Sequence, residues 1–120
     1  MVESQNKRNG YDLEERTLIF ARNVRDLINK APKSVTTIEY GKQLARSAGS
    51  VGANYIEANE SLSKKDFVMR VKICRKEAKE SAYWLSLILV HQNDEEKQKE
   101  LKQEATELMK IFGSIIEKSK

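Results

Sequence analysis

The sequence contains little of what secreted or membrane-spanning proteins need. It has one cysteine, Cys74, which cannot form an internal disulfide and suits a reducing compartment. No run of about 18 apolar residues is present to cross a membrane. The first residues, 1–16, are polar and lack the apolar core of a secretion signal. These absences predict a cytoplasmic protein without membrane association.

Signals for β-structure are also absent. No Asn-Gly turn lies between two alternating runs, β-branched residues are scattered, and Pro32 is the only proline. The chain is instead rich in Lys, Glu, Ala, Leu, Ser and Ile, a composition typical of helical proteins. Its 120 residues are enough for one domain with a modest core. We therefore treat residues 1–120 as a single helical domain.

Apolar residues recur at helical spacing in four segments, at about 13–30, 36–58, 64–92 and 94–118. Each segment opens on a pair of polar residues three positions apart, the pattern of a capping box. These pairs are Asp12 and Glu15, Thr36 and Glu39, Ser63 and Asp66, and Asn93 and Glu96. Connections of four to five residues favour antiparallel neighbours. We predict an all-α protein, a single antiparallel up-down-up-down four-helix bundle.

The second helix carries small residues at every fourth position. They are Gly41, Ala45, Gly49 and Ala53, with Gly52 beside them. Each glycine destabilises a helix by about 1 kcal/mol relative to alanine, so three of them indicate a compensating close approach by another helix. Both tight packing inside the bundle and close contact with another subunit explain the pattern. Phosphate binding does not, because these glycines lie in mid-helix.

The third helix has two apolar faces on a helical wheel. Its predicted core face consists of Phe67, Val71, Cys74, Ala78, Ala82 and Leu85. A second flank consists of Ile73, Glu77, Glu80, Trp84 and Leu87. A monomeric bundle needs one apolar stripe per helix, so this flank predicts self-association. The alternative is that the third helix is more deeply buried than its companions.

Basic charge is concentrated in the third helix. Residues 64–79 contain seven Lys or Arg and two acidic residues, a balance of +5, whereas the whole chain carries +4. One face holds a stripe of four lysines, Lys65, Lys72, Lys76 and Lys79. A solvated helix face is the ordinary interpretation of such a stripe. The functional interpretation is contact with nucleic-acid phosphates, with Tyr83 on the same side as a stacking surface.

The residue combinations that carry catalysis are missing. His91 is the only histidine, which excludes a two-histidine metal site within one chain, and no phosphate-binding loop or nucleophile elbow occurs. His91 falls near the predicted end of the third helix, where a cation is favourable. Cys74 falls on the predicted core face as a small hydrophobe. The sequence predicts a non-enzymatic protein with no metal and no cofactor.

Several glutamates of the second and third helices need partners. They are Glu57, Glu60, Glu77 and Glu80. Di-iron bundles also place glutamates on facing helices, but they require Glu-x-x-His pairs, and this chain has none. We expect these carboxylates to pair with Arg46, Arg75 or Lys76 and to set the helix register or the subunit pairing.

Short blocks between residues 46 and 85 form a recognisable set. They are Arg46-Ser47, Ser50-x-x-x-Asn54-x-x-Glu57, Ser63-Lys64-Lys65-Asp66-Phe67, Lys76-Glu77-Ala78-x-Glu80 and Tyr83-Trp84-Leu85. With these blocks, in ungapped spacing, the chain resembles the four-helix bundle proteins encoded in intervening sequences of bacterial 23S ribosomal RNA genes. The outer helices agree with that family only in length and pattern.

The resemblance implies an assembly and an activity class. Members of the family are similar to the accessory variability protein of diversity-generating retroelements, a pentameric barrel of four-helix bundles that binds nucleic acid and a reverse transcriptase. The resemblance therefore implies a ring-like homo-oligomer, with a pentamer expected. It implies no enzymatic activity.

Two functions follow from these observations. The leading hypothesis is a homo-oligomer that binds structured RNA or DNA through its four lysines, Lys65, Lys72, Lys76 and Lys79. A second set of residues would order the contact between the second and third helices or the subunit interface. This set is Arg46, Asn54, Glu57, Glu77, Glu80 and Trp84. The alternative is a protein-interaction scaffold or accessory subunit that does not bind nucleic acid directly.

Overall fold

Four helices account for most of the chain. The computed structural model describes residues 12–120, so the polar segment 1–11, for which we predict no secretion signal, lies outside the described residues. The helices are α1 (Leu13–Lys30), α2 (Val35–Asn59), α3 (Lys64–Leu87) and α4 (Glu95–Lys118), with a short 3-10 helix at Gln92–Asp94. No strand occurs within 12–120. The all-α prediction is confirmed.

The helices run side by side along the long axis of the molecule. The molecule measures 44 × 25 × 19 Å, and a helix of 24 residues is about 36 Å long. Helix α3 packs against α2 on one side and against α4 on the other, while α1 packs mainly against α2. A smaller contact joins α1 to α4, where Arg16 binds Glu104 in bidentate fashion, with distances of 2.7 and 2.9 Å. This packing fits the predicted bundle.

Two helices begin at the capping boxes that the sequence predicts. The backbone N–H of Glu15 donates to Asp12 Oδ1 over 2.8 Å at the start of α1. The backbone N–H of Asp66 donates to Ser63 Oγ over 3.1 Å at the start of α3. Each bond satisfies one of the backbone donors that a helix N-terminus leaves unpaired.

The start of α2 differs from the prediction. Ser34, rather than Thr36, is the N-cap, and its Oγ accepts from the backbone N–H of Thr37 over 3.1 Å. The Ser34 hydroxyl also lies 2.9 Å from Thr37 Oγ1, and Thr37 is buried. The cap therefore lies two residues earlier than the pair of Thr36 and Glu39 predicts.

The end of α3 also differs from the prediction. The helix ends at Leu87 instead of continuing to residue 92, because Ile88 turns into an extended conformation and is only 2% exposed. Gln98 of the next helix then donates to the carbonyl oxygens of Leu85 and Ile88, both over 2.8 Å. His91 consequently lies beyond α3, so its interpretation as a cation at a helix C-terminus is wrong.

The beginning of α4 also differs from the prediction. Asn93 lies inside the 3-10 helix and is not the N-cap, a position that Asp94 takes without a side-chain hydrogen bond. Helix α4 therefore begins at Glu95, one residue later than predicted.

The core is lined by one stripe of each helix, as the periodicity predicts. In α1 the buried residues are Leu13, Thr17, Phe20, Val24 and Leu27. In α4 they are Leu101, Ala105, Leu108, Phe112 and Ile116. Ile116 ends this stripe, and the adjacent Ile115 is only partly buried. The two stripes close over the buried residues of α2 and α3.

The small residues of α2 do not form one packed stripe. Gly41 is buried, whereas Ala45, Gly49 and Ala53 are exposed. Positions four apart advance by about 40° around a helix, so the series turns by about 120° from core to solvent. The close approach lies instead at Gly52, where an added Cβ would meet Thr17 Oγ1 at 2.8 Å. Packing inside the bundle thus explains Gly41 and Gly52 but not Gly49.

Candidate functional site

The four lysines of the predicted stripe lie together on the outward face of α3. Separations of seven, four and three residues keep them within about 60° of one another around the helix, over a length of about 21 Å. All four are exposed, namely Lys65, Lys72, Lys76 and Lys79. The opposite face of α3 is buried through Val71, Cys74, Ala78 and Leu85. Burial of that face holds the lysines toward solvent.

The charge of this lysine stripe is not neutralised by ion pairs. Within residues 12–120, none of the four lysines forms a salt bridge, although other surface lysines pair with glutamates three positions away. Tyr83, on the same face, is 59% exposed and its ring packs edge-on against that of Trp84, with centroids 5.0 Å apart. The face therefore presents positive charge with an aromatic ring at one end.

A cleft between α3 and α4 extends the positive surface. Its lining residues are Lys72, Arg75, Lys76, Lys79, Met109, Ile116, Glu117 and Lys120. The only acidic lining residue, Glu117, pairs with Lys120 over 3.0 Å. Arg75 was not included in the predicted stripe, although it lies three residues from Lys72 and the helical spacing would have placed it near that face. The approach of Lys120 depends on the packing of α4 and has no signal in the sequence.

A polar network joins α2 to α3. The Arg46 guanidinium donates to Glu80, and also to Glu77 Oε1 over 3.4 Å. Trp84 Nε1 donates to Glu80 Oε2 over 2.9 Å, and the Trp84 ring lies 5.8 Å from that of Tyr40 on α2. Glu77 is only 7% exposed. Three predicted residues of α3 are thus brought together with Arg46.

The second apolar flank of α3 therefore faces α2 inside the bundle. Trp84 is partly buried and packs against the core, together with a tyrosine of the neighbouring helix. This placement corresponds to the alternative interpretation, a deeply buried helix. Leu87, at the end of the flank, remains 38% exposed.

The remaining predicted residues of this set differ in their surroundings. Asn54 accepts a hydrogen bond from Arg70 Nη1 over 3.0 Å and so adds to the contact between α2 and α3. Glu57 is exposed, lines a shallow surface cleft with Glu60, and forms no side-chain ion pair within the described residues. The structure does not bring Glu57 into the network.

A buried pair of serines completes the contact between the two helices. The hydroxyl oxygens of Ser47 and Ser81 lie 2.9 Å apart, and both residues are fully buried. Ser81 also donates to the carbonyl oxygen of Glu77 over 2.9 Å. This pair was not predicted from the sequence, because small polar residues on a helix give no signal of burial until the neighbouring helix is placed.

The network shifts the pKa values of its charged groups in opposite directions. The Trp84 indole N–H and the Arg46 guanidinium, both hydrogen-bonded to Glu80, lower the pKa of that carboxyl below its ordinary value. Hydrogen bonding to Glu80 in turn raises the pKa of Arg46. Since the charged forms are favoured in both groups, the network stabilises the fold at neutral pH.

We expect the contribution of Glu80 to disappear in acid. A carboxyl whose pKa is lowered by folding stabilises the protein above its unfolded value of about 4.5, and this stability is lost as the pH falls through the folded value. Glu80→Gln should therefore lower the free energy of unfolding by about 1–2 kcal/mol at pH 7, but by less at pH 3. Urea denaturation at the two pH values measures the difference.

The matched control is Glu39→Gln on α2. Glu39 is 64% exposed in an ion pair with Lys42, and surface pairs contribute about 0–1 kcal/mol. Equal effects of the two substitutions at pH 7, or an effect of Glu80→Gln that is as large at pH 3 as at pH 7, would contradict the assigned role of Glu80.

Cys74 and the possible metal-binding side chains are the remaining chemically reactive groups. Cys74 is fully buried, and burial raises the pKa of its thiol to about 12, which keeps it protonated. No cluster of three or more His, Cys, Asp or Glu side chains within 12–120 is arranged to hold a metal ion. Among the four helices described, none is both long and apolar enough to cross a membrane.

Comparisons with known proteins agree with these features. The model of a family described as 23S rRNA-intervening sequence protein matches residues 11–114. A solved structure from Bacteroides thetaiotaomicron VPI-5482, a protein with unknown function from the S23 ribosomal protein family, is 32% identical with a TM-score of 0.72. The alignment covers 86% of this chain and 96% of that one. No curated protein matches the chain.

Proposed function

Because the chain belongs to the 23S rRNA-intervening sequence protein family, we propose that it is a non-enzymatic cytoplasmic bundle that binds structured RNA or DNA. The observation that carries the proposal is the exposed lysine stripe of α3, whose four lysines form no salt bridge within the described residues. The solved relative is a protein with unknown function, so the support for nucleic-acid binding comes from this surface.

The dimensions of the stripe suit a nucleic-acid backbone. Its length of about 21 Å corresponds to about six phosphates of one strand of a duplex, spaced by 3.4 Å along the axis. Arg75 and Lys120, in the adjoining cleft, widen the positive surface toward α4. A surface of this kind contacts phosphates and does not by itself read base sequence.

Self-association is part of the proposal. A ring of subunits would place several lysine stripes on one assembly, which increases affinity through multivalency. The family resemblance suggests a pentamer, which has a mass of about 69 kDa, since one chain weighs 13.8 kDa. Sedimentation equilibrium at two protein concentrations measures this mass. A monomer at both concentrations would remove the oligomer from the proposal.

The experiment that tests nucleic-acid binding is a titration of fluorescent structured RNA followed by anisotropy. Four phosphate contacts per subunit predict a slope of log affinity against log salt of about −2.8 to −3.6 per bound chain. We expect binding at low salt that weakens with this slope. Absence of binding at low salt would make the lysine stripe a solvated face.

A protein-interaction scaffold is the second candidate, and an apolar groove on the opposite side of the bundle favours it. The groove runs between α1 and α2 past Gly49 and Ala53. Its most exposed apolar side chains are Leu18, at 48%, and Ile56, at 49%. Exposed apolar surface rimmed by charge commonly marks protein contacts. Under this alternative, charge changes on α3 leave partner binding intact.

A further inference from the structure

The cleft between α3 and α4 has features that phosphate contacts do not require. It is open to solvent, with a volume of about 570 Å³, a size typical of sites for small ligands. Cations of α3 stand along one side, and Met109 and Ile116 supply an apolar wall on α4. Ile116 is only 6% exposed, while Met109 is partly buried and reaches the surface. Charge and apolar surface thus meet in one place.

The side chain of Arg75 reaches across this cleft to a glycine of α4. Gly113 lies inside the helix, where glycine is destabilising relative to alanine. A Cβ added there would lie 3.9 Å from Arg75 Nε, an ordinary van der Waals distance, so the Arg75 side chain reaches α4 beside Gly113. Arg75 is nevertheless exposed and lines the cleft. A planar cation of α3 and the apolar side chains of α4 therefore line the same cleft.

From this arrangement we infer that the cleft binds an unpaired nucleotide of the nucleic acid. The base stacks on the Arg75 guanidinium and contacts Met109, while the flanking phosphates pair with Lys72, Lys76 and Lys79. Arginine planes are a common platform for bases that have left a helix, because every base offers a π-face. The inference depends on the proposed function and deepens it, since it makes an unpaired nucleotide, rather than the duplex, the preferred feature.

Two RNA hairpins that differ only by a bulge of three unpaired nucleotides test the inference. Wild-type protein should bind the bulged hairpin about fivefold or more tightly at the same salt concentration, in line with the contribution of a stacked base. Arg75→Lys keeps the charge but removes the plane. We expect this variant to bind both hairpins equally, with an unchanged dependence on salt.

The control variant is Arg25→Lys on α1. Arg25 is also exposed, at 62%, and pairs with the adjacent Asp26, so the substitution is equivalent but lies outside the cleft. It should retain the preference for the bulge. Equal binding of both hairpins by wild-type protein would overturn the inference alone. A preference that survives Arg75→Lys would overturn the role of Arg75, and absence of binding to either hairpin would overturn the proposed function as well.

Discussion

Reversal of charge at Lys72 and Lys76 is expected to weaken the binding of structured RNA by about 25- to 60-fold at 0.1 M salt. Each phosphate contact contributes about 0.7–0.9 log units of affinity at this salt concentration through counterion release, and the Lys72→Glu/Lys76→Glu variant removes two contacts. The slope of log affinity against log salt should become shallower by about 1.4–1.8 for each bound chain. Fluorescence anisotropy over a salt series measures both quantities.

A second double variant controls for the change in net charge. Lys42 and Lys97 are exposed on α2 and α4, outside the cleft, and their replacement by glutamate also lowers the net charge from +4 to 0. We expect this control to retain most of the affinity. If both variants lose affinity to the same extent, only net charge matters; if neither does, the scaffold becomes the leading function. Circular dichroism melting should show both variants folded.

Two alanine substitutions in α2, three residues apart, are expected to have opposite effects on stability. Gly49→Ala should raise the free energy of unfolding by about 1 kcal/mol, because no atom lies within 4 Å of the added Cβ and alanine favours the helix. Gly52→Ala should lower it by about 1–3 kcal/mol, because the Cβ would meet Thr17 Oγ1 at 2.8 Å. Urea denaturation of the two variants measures a difference of about 2–4 kcal/mol.

The clash at Gly52 is costly because Thr17 has no room to move. Thr17 is fully buried, and its hydroxyl donates to the carbonyl oxygen of Leu13 over 2.8 Å. Thr17→Ala removes the contacting hydroxyl, so in combination with Gly52→Ala it should recover part of the lost stability. A Gly52→Ala variant as stable as wild type would mean that α1 shifts freely, and the close approach would then not be needed.

Local sequence was sufficient for the helices whose ends are set by local hydrogen bonds. Asp12 and Ser63 cap α1 and α3 through bonds to residues three positions ahead, so spacing alone located them. The end of α3 was different. It depends on the burial of Ile88 and on the side chain of Gln98, ten residues further along the chain, and no pattern within α3 contains that information.

The candidate site likewise combines features that one helix determines with features that depend on how the helices pack. The exposure of the lysine stripe follows from the helical period and from the apolar face opposite, both of which can be found from one helix. The surface that the second apolar flank of α3 contacts could not be predicted from the sequence. An apolar residue such as Trp84 gives the same pattern whether a neighbouring helix or a second subunit covers it. The positions of α2 and α4 decided that Trp84 lies against Tyr40, and that Arg75 lies beside Gly113.

The sequence by itself therefore determined the all-α class, four helices, their core stripes and a stripe of lysines on one face of α3. Each of these properties depends on residues within one helical repeat or one cap. Tertiary structure alone decided which glycines of α2 are in close contact, which glutamates share Arg46, and which cations meet at the cleft. Those properties depend on distances between residues on different helices, which are set only when the helices pack.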